Sequence, residues 1–277
     1  MFLAYWGDEC TLENMSFWKA FLLTEAIVVI AKAIAWAIQR RTGNAAVVDA
    51  IWAVSLGGLA VVYALAGDAP GEVRLLVGLM GGVWGLRLGL HLGARMAGKP
   101  EDFRYAKFRQ EWGDRAQFNL FWFFQFQNLF TLALSASAFA AAVYRPDAPP
   151  VWAMVLAVAL WLTSVVGEGI ADRQMDRFRR DSANRGQVCR AGLWRYSRHP
   201  NYFFECVHWL AYLPLALGAP WGWTALVAPV VMAILLTRIS GMPMLEAEMA
   251  ARKAGYAEYL RTTSALIPWF PKASSSS

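Results

Sequence analysis

Residues 150–171 read PVWAMVLAVALWLTSVVGEGIA, and the only charged residue among them is Glu168, close to the end of the stretch. A helix of about 20 mostly apolar residues is long enough to cross the hydrocarbon core of a bilayer. Six further stretches have the same character: 17–38, 45–66, 73–95, 117–144, 201–218 and 221–239. The sequence therefore predicts an all-α integral membrane protein with seven transmembrane helices.

The composition supports this class. Of 277 residues, 57% are hydrophobic and 17% charged, against about 45–50% and about 25% in soluble domains. An aromatic content of 14% excludes a disordered chain. The three cysteines are far apart, and no Cys/His cluster has metal-ligand spacing, so we predict neither a disulfide scaffold nor a metal site. We expect one domain over residues 1–272, with 273–277 a flexible tail or cloning remnant.

The basic residues predict the orientation. Of the 26 Lys and Arg residues, 21 lie in residues 39–44, 95–116, 172–200 and the tail from Arg238. Cytoplasmic loops carry such an excess, so the N-terminus is predicted outside and the C-terminus in the cytoplasm. The same bias accounts for the net charge of +6 without a nucleic-acid partner.

The C-terminal tail has its own pattern. Between Met244 and Leu260 apolar residues recur at helical spacing, with Glu and Lys between them, which predicts an amphipathic helix lying on the cytoplasmic side. The following residues 265–270, ALIPWF, are predicted to form a hydrophobic anchor with an interfacial aromatic side chain.

Polar residues inside the apolar stretches indicate a site, because ionisable groups are costly in a membrane and usually functional. They are Asp49, Arg87, His91, Glu168, Asp172, Asn201, Glu205, His208 and Arg238, with Arg179 farther along the fifth helix. Several are four apart and so share a helix face. With the predicted orientation all lie near the cytoplasmic helix ends. Unrelated ion pairs near the interface are the alternative, and a pairing role is predicted for Glu25 with Lys32.

The ligand of such a site is suggested by the segment 172–200, which carries eight arginines. Arginine binds phosphate through its planar fork, although the orientation rule alone also explains a basic loop. No Gly-rich dinucleotide fingerprint or P-loop is present. The sequence thus favours a phosphate-bearing cofactor held by helices rather than by a Rossmann domain.

Two motifs resemble one known family. Residues 192–205, GLWRYSRHPNYFFE, and the tail segments GYAEY at 255–259 and TSALIP at 263–268 resemble the steroid 5α-reductase family in its bacterial membrane branch. Its superfamily also contains sterol Δ14-reductases and isoprenylcysteine methyltransferases. The resemblance implies seven helices in a bacterial inner membrane, NADPH in a cavity open to the cytosol, and a lipid-like enone that enters from the bilayer.

The resemblance also implies residue roles. Asn201 and Glu205 match residues that hold the nicotinamide amide, Asp172 matches a cofactor contact, and Arg87 and Arg179 match phosphate-facing arginines. The residues expected to bind the cofactor are Arg87, His91, Glu168, Asp172, Arg179, Arg195, Arg198, His199, Asn201, Tyr202, Glu205, Arg238 and Glu246.

The predicted catalytic residues match the family pattern less closely than the predicted cofactor residues do. Animal members polarise the steroid ketone with a Gln-Glu pair and a Tyr; here Asp49 is the nearest acid and Trp84 stands roughly at the Tyr position. Hydride addition to an enone places negative charge on the ketone oxygen, which needs a hydrogen-bond donor. Asp49 can donate if burial keeps it protonated. The predicted catalytic residues are Asp49, Trp84 and Glu205.

The substrate chamber is predicted from aromatic side chains. Trp52, Trp84, Phe121, Phe124 and Phe126 suit a flat sterol, although ordinary packing is the alternative for each. We expect a monomer that meets a steroid or isoprenoid lipid and the membrane lipids. Two other classes remain open, an S-adenosylmethionine-dependent methyltransferase and a non-catalytic lipid-binding protein. Methyltransferase relatives usually carry adjacent acids in the tail, where this chain has a single Glu246.

Overall fold

The structure, a computed structural model, describes residue 12 and residues 15–273. Most of the predicted tail 273–277 therefore lies outside the described residues. Throughout the described part the regular structure is helical, and no strand is present. The one extended pairing in this part is an isolated parallel bridge between Ser197 and Ser264. The prediction of an all-α protein is confirmed.

The described chain contains twelve α-helices. Their bounds are α1 (Phe17–Thr42), α2 (Val47–Ala66), α3 (Gly71–Met96), α4 (Phe103–Trp112), α5 (Ala116–Ser135), α6 (Ala141–Val143), α7 (Val151–Arg180), α8 (Pro200–Leu210), α9 (Tyr212–Ala216), α10 (Val227–Ile234), α11 (Met242–Arg252) and α12 (Tyr256–Thr262). Short π-helical turns, Ala136–Ala140 and Leu235–Ile239, follow α5 and α10.

Within the described residues, six helical stretches are long and apolar enough to cross a membrane. They are Phe17–Thr42, Val47–Ala66, Gly71–Met96, Phe103–Val143, Val151–Arg180 and Gly222–Arg252. The chain is therefore a multi-pass membrane protein. The predicted span 201–218, the sixth in chain order, is instead divided into α8 and α9. Pro214 lies in this stretch and lacks the N–H that a continuous helix would donate to Leu210.

The segment 95–116, predicted as a basic loop, contains α4. The carboxylate of Asp102 caps this helix by accepting a hydrogen bond of 3.0 Å from the N–H of Arg104. A capping Asp followed by Tyr105, Phe108 and Trp112 at helical spacing is the signal of this helix in the sequence.

The contacts divide the chain into two compact units. The first holds the chain up to Met154 together with Tyr212–Ala228, and the second holds Val155–Ala211 and the residues from Pro229 on. The division falls inside α7 and α10, so each of these helices contributes residues to both units.

Helices α2 and α3 of the first unit pack closely because small residues face each other. A Cβ added to Gly85 would lie 2.6 Å from the Cα of Gly57, so only glycine permits this backbone approach. Between α1 and α5, Lys32 Nζ donates to Oε1 of Gln127 at 2.8 Å. Lys32 therefore has a structural partner on α5, in place of the pairing with Glu25 that the sequence also allowed.

The second unit is built around the loop between α7 and α8. The indole N–H of Trp194 donates to the Ala171 carbonyl at 3.0 Å, and the hydroxyl of Tyr259 donates to the Ser197 carbonyl at 3.2 Å. The predicted single tail helix is two helices, α11 and α12, separated at Gly255, whose φ of +75° favours glycine. Trp269 and Phe270 are exposed, as a hydrophobic anchor requires.

Candidate functional site

In the second unit, four of the predicted cofactor residues lie in contact with one another: Arg198, His199, Tyr202 and Glu246. We call them the Glu246 cluster. Nε of Arg198 lies 2.7 Å from Oε1 of Glu246, and Nε2 of His199 lies 2.9 Å from the same oxygen. The rings of His199 and Tyr202 stack in parallel, with centroids 5.1 Å apart. Residues almost fifty positions apart in the sequence are thereby joined at the start of α8.

Arg198 makes four hydrogen bonds to the protein, through all three of its guanidinium nitrogens. Its Nη2 also donates to Glu246, and its Nη1 donates to the carbonyls of Leu260 and Thr263, at 3.1 and 2.6 Å. All three guanidinium nitrogens thus have protein acceptors. The structure places Arg198 as a clamp between the tail and α8.

Helix α8 carries the two residues with the most specific predicted roles. It begins at Pro200, as the sequence predicts, because proline fits the first helical turn. Asn201 and Glu205 follow one turn apart on it. Oδ1 of Asn201 is buried and has no hydrogen-bond partner among the described residues. Glu205 is buried and accepts a hydrogen bond of 2.9 Å from the indole N–H of Trp209.

The remaining predicted cofactor residues of this unit lie on three elements. Glu168, Asp172 and Arg179 follow one another along α7, and Glu168 is buried. Arg238 lies in the π-helical turn after α10. Arg195 ends a short 3₁₀ turn, with its guanidinium carbon 5.9 Å from the centre of the Tyr196 ring. The helical spacing predicted for the α7 residues is confirmed.

The first unit has its own polar cluster, the Asp49 cluster, which we define as Asp49, Asp102, Arg104 and Tyr105. Arg104 Nη2 lies 2.8 Å from Oδ2 of Asp49, and the Tyr105 hydroxyl donates to Oδ1 of Asp49 at 2.7 Å. Arg104 Nε also bonds the carboxylate of Asp102 at 2.9 Å. Both oxygens of Asp49 accept hydrogen bonds, one of them from the guanidinium of Arg104.

The sequence reasoning missed Asp102, Arg104 and Tyr105 because it placed no helix there. Tyr105 is almost fully buried, and it reaches Asp49 from α4. Burial raises the pKa of the Asp102 carboxyl, but the hydrogen bond and charge of Arg104 outweigh burial, so the pKa lies below its usual value. The Asp49 cluster is therefore a charge-paired arrangement rather than a single acid in an apolar pocket.

The predicted substrate aromatics are not equivalent in the structure. Trp52 and Trp84 meet edge to face, with ring centroids 6.2 Å apart, and Trp84 is fully buried. Phe121 packs in the same manner on Trp36, at 5.5 Å.

Two other aromatics differ more clearly from the predicted chamber. Phe124 is fully buried in a hydrophobic cluster with Tyr105, which lies at 6.5 Å. Phe126 is 55% exposed and so belongs to the outer face of α5. Arg87 and His91 occupy successive turns of α3, in the predicted helical register.

Comparison with known proteins gives one match. A family model described as "Protein of unknown function (DUF1295)" matches residues 35–263, which is most of the chain. No curated protein and no solved structure matches.

Proposed function

Since the chain belongs to the DUF1295 family, which is linked to steroid 5α-reductase-like membrane proteins, we propose that it is a membrane-embedded, NADPH-dependent reductase. It transfers a hydride to the carbon–carbon double bond of a 3-oxo-Δ4 steroid or a related isoprenoid enone. In the terms of enzyme classification this is a 3-oxo-5α-steroid 4-dehydrogenase of the bacterial inner membrane. The cofactor supplies the hydride. The protein binds and orients the cofactor and the substrate, and it polarises the substrate ketone.

The observation that carries the proposal is the buried, unpartnered Oδ1 of Asn201, one helical turn from buried Glu205. A buried acceptor without a donor costs about 1–3 kcal/mol. The NH₂ of a nicotinamide carboxamide is a donor of the required kind, and the amide of Asn201 also offers a donor to the carboxamide oxygen. Glu205 accepts from Trp209 through one oxygen, and a carboxylate is an acceptor for the NH₂ group of a carboxamide.

The Glu246 cluster supports the same assignment by fixing the start of α8. Arg198 and His199 immediately precede Pro200 and Asn201, and both bond the carboxylate of Glu246 on α11. A recognition residue must be held closely in position to select one geometry of its ligand. We assign Arg198, His199 and Glu246 to this positioning, and Asn201 and Glu205 to contact with the cofactor.

The Asp49 cluster is proposed to act on the ketone. Asp49 accepts from the Tyr105 hydroxyl and from Arg104, so its role is to orient and polarise donors toward an oxygen on which negative charge develops. Preorganised donors of this kind stabilise a developing oxyanion. Asp49 thus remains the proposed catalytic residue, acting through the donors that it orients.

The proposal is tested with purified protein and two cofactors. NADPH and S-adenosylmethionine are added separately, and the melting temperature is recorded for each. A ligand present at 100 times its Kd stabilises the folded state by about 2.7 kcal/mol. We expect the shift with NADPH, together with oxidation of NADPH when a 3-oxo-Δ4 steroid is added. A shift with S-adenosylmethionine alone indicates a methyltransferase, and no shift with either indicates a non-catalytic protein.

A further inference from the structure

A lysine is buried inside the first apolar helix. Lys32 is 1% exposed, and it lies ten residues, about 15 Å, before the last residue of α1. Its Nζ donates to Oε1 of Gln127 on α5 at 2.8 Å, and within the described part of the chain this is its one hydrogen-bond partner. No described carboxylate forms an ion pair with it. An ammonium group has three donors, so Lys32 has donors left for another molecule.

Asn128 on α5 lacks a partner of the opposite kind. It is 4% exposed, and its Nδ2 donates to Oε1 of Gln125 at 2.9 Å. Its Oδ1 is buried and bonds no donor among the described residues. A buried acceptor without a donor is destabilising. Lys32 and Asn128 together therefore offer a ligand one cationic donor and one amide acceptor.

These two residues lie where the same turns of α1 and α5 meet. Gln127, which accepts from Lys32, precedes Asn128 directly in the sequence. Gln125, which accepts from Asn128, donates from Nε2 to the carbonyl of Val29 at 3.4 Å. Val29 lies three residues before Lys32 on α1. Two hydrogen-bonded bridges thus join one turn of α1 to one turn of α5, and we call Lys32 and Asn128 the α1–α5 polar pair.

A polar residue on the same face of α1 provides the contrast. Gln39 is also fully buried. Its Nε2 donates to Oε1 of Gln117 at 2.8 Å, and its Oε1 accepts from Nη2 of Arg109 at 2.6 Å. The protein therefore satisfies both ends of this amide and leaves the α1–α5 polar pair incomplete. Charged groups inside a membrane are costly and usually functional, so the incomplete pair indicates a ligand.

The α1–α5 polar pair lies at a distance from the Asp49 cluster. Phe124 packs on Tyr105 of that cluster, and Asn128 follows Phe124 by one turn, about 6 Å along α5. On α1, Lys32 precedes by seven residues, about 10 Å, the position at which Gln39 bonds α4. A ligand of roughly this length can contact the Asp49 cluster with one end and the polar pair with the other.

We propose that Lys32 and Asn128 select a lipid substrate with a hydroxyl group at the end opposite its ketone. This inference rests on the proposed function, in which the Asp49 cluster acts on the ketone. A hydroxyl group is both acceptor and donor. Its oxygen accepts from Nζ of Lys32, and its hydrogen is donated to Oδ1 of Asn128. The substrate is thus an enone lipid with two oxygen groups, and the polar pair determines specificity without taking part in hydride transfer.

The test compares two lipids that differ in one hydroxyl group. Radiolabelled androst-4-en-3-one and its 17β-hydroxy derivative are bound to the full chain in nanodiscs, and the Kd of each is measured. The site variants are Lys32→Met and Asn128→Leu. Lys19→Met, an exposed lysine of α1, and Asn119→Leu on α5 are the matched controls. Oxidation of NADPH with each lipid is recorded in parallel.

We expect the wild type and both controls to bind the hydroxylated lipid about tenfold more tightly than the other lipid, as a hydrogen bond to a charged group provides. Each site variant should lose this difference and keep the wild-type Kd for the lipid without the hydroxyl, which a general distortion of the fold would also weaken. Each site variant decides the question by itself, so a variant that does not fold leaves the other as the test.

The outcomes separate this inference from the proposed function. Equal Kd values of the wild type for the two lipids, binding of neither lipid, or a retained difference in a site variant overturns the inference. If the wild type reduces both lipids with equal KM, the proposed function stands and the inference fails. If the difference in Kd is present and depends on Lys32 and Asn128 while no NADPH is oxidised, the polar pair is supported and the proposed function fails.

Discussion

Arg198 and Glu246 form an ion pair in which Nε of the arginine lies 2.7 Å from Oε1 of the glutamate. The arginine side chain is 11% exposed and the glutamate side chain 18%, so the pair is largely withdrawn from solvent. His199 shares the same carboxylate oxygen at 2.9 Å. This single carboxylate therefore links α11 to the residues that precede α8, where Asn201 and Glu205 lie.

The first prediction concerns the stability that this pair provides. Glu246→Gln should lower the free energy of unfolding by about 1.5–3 kcal/mol, because it leaves Arg198 without its charged partner. Reversible unfolding of the purified protein measures the loss. Glu258→Gln is the matched control, since its pair with Arg190 has side chains that are 41% exposed, and such pairs contribute about 0–1 kcal/mol. Equal effects of the two variants would contradict the clamp.

The second prediction concerns Asp49. Asp49→Ala should lower kcat by about 10²–10³, as loss of one oxyanion-stabilising group does, with little change in NADPH affinity. Tyr105→Phe, which removes the donor to Asp49, should lower kcat in the same direction. Glu101→Gln is the control, because this nearby carboxylate bonds Arg109 and the N–H of Ala45 instead. If Asp49→Ala keeps the wild-type turnover, Asp49 has a structural role. Tyr63 and His91 are then the next candidates for the group that polarises the ketone.

The third prediction concerns acid stability. The pKa of Asp102 in the folded protein lies below its ordinary value of 3.8, since Arg104 outweighs the effect of burial. Between these two pKa values the unfolded chain binds more protons, so stability is lost as pH falls from about 4 through the folded pKa. Asp102→Asn should flatten this part of the curve of unfolding free energy against pH. A curve of unchanged slope would show that Arg104 does not favour the ionised carboxylate.

The fourth prediction concerns orientation in the membrane. A reporter fused after Lys272 should be cytoplasmic, and one inserted within residues 67–72 should be periplasmic, because 21 of 26 basic residues lie on the side assigned to the cytoplasm. The reverse pattern would place Asn201 and Glu205 toward a compartment without NADPH, and it would remove the basis of the proposed function.

The long helices could be predicted because an apolar stretch of about 20 residues that crosses a membrane must satisfy its own backbone hydrogen bonds. The spans assigned to 45–66 and 73–95 differ from α2 and α3 by no more than two residues at either end. Helix α4 was not predictable from hydropathy, since four of its ten residues are charged and it is too short and polar to be a span, and the cap at Asp102 was the available signal. The division of 201–218 could have been expected from Pro214.

For the candidate site, the sequence predicts local spacing along a helix but not contacts between distant residues. Helical spacing correctly placed Asn201 and Glu205 on successive turns of one helix, because that register is local. It could not show that Glu246 is the carboxylate that pairs with Arg198, or that Tyr105 reaches Asp49. These partners are 48 and 56 residues apart, and only the folded chain selects them. The predicted contact of Arg198 with the cofactor stays a prediction.

The central claim is that α8 carries the nicotinamide site. The most direct test is the rise in melting temperature that NADPH causes, measured for Glu205→Ala and Asn201→Leu. Cys206→Ala, on the same helix, is the control. The account predicts that both site variants purify as folded, monodisperse protein, lose NADPH-dependent reduction and show a much smaller NADPH shift, while Cys206→Ala keeps the wild-type shift. If Glu205→Ala and Asn201→Leu retain the wild-type turnover and the wild-type shift, the nicotinamide does not bind at α8 and the account is contradicted.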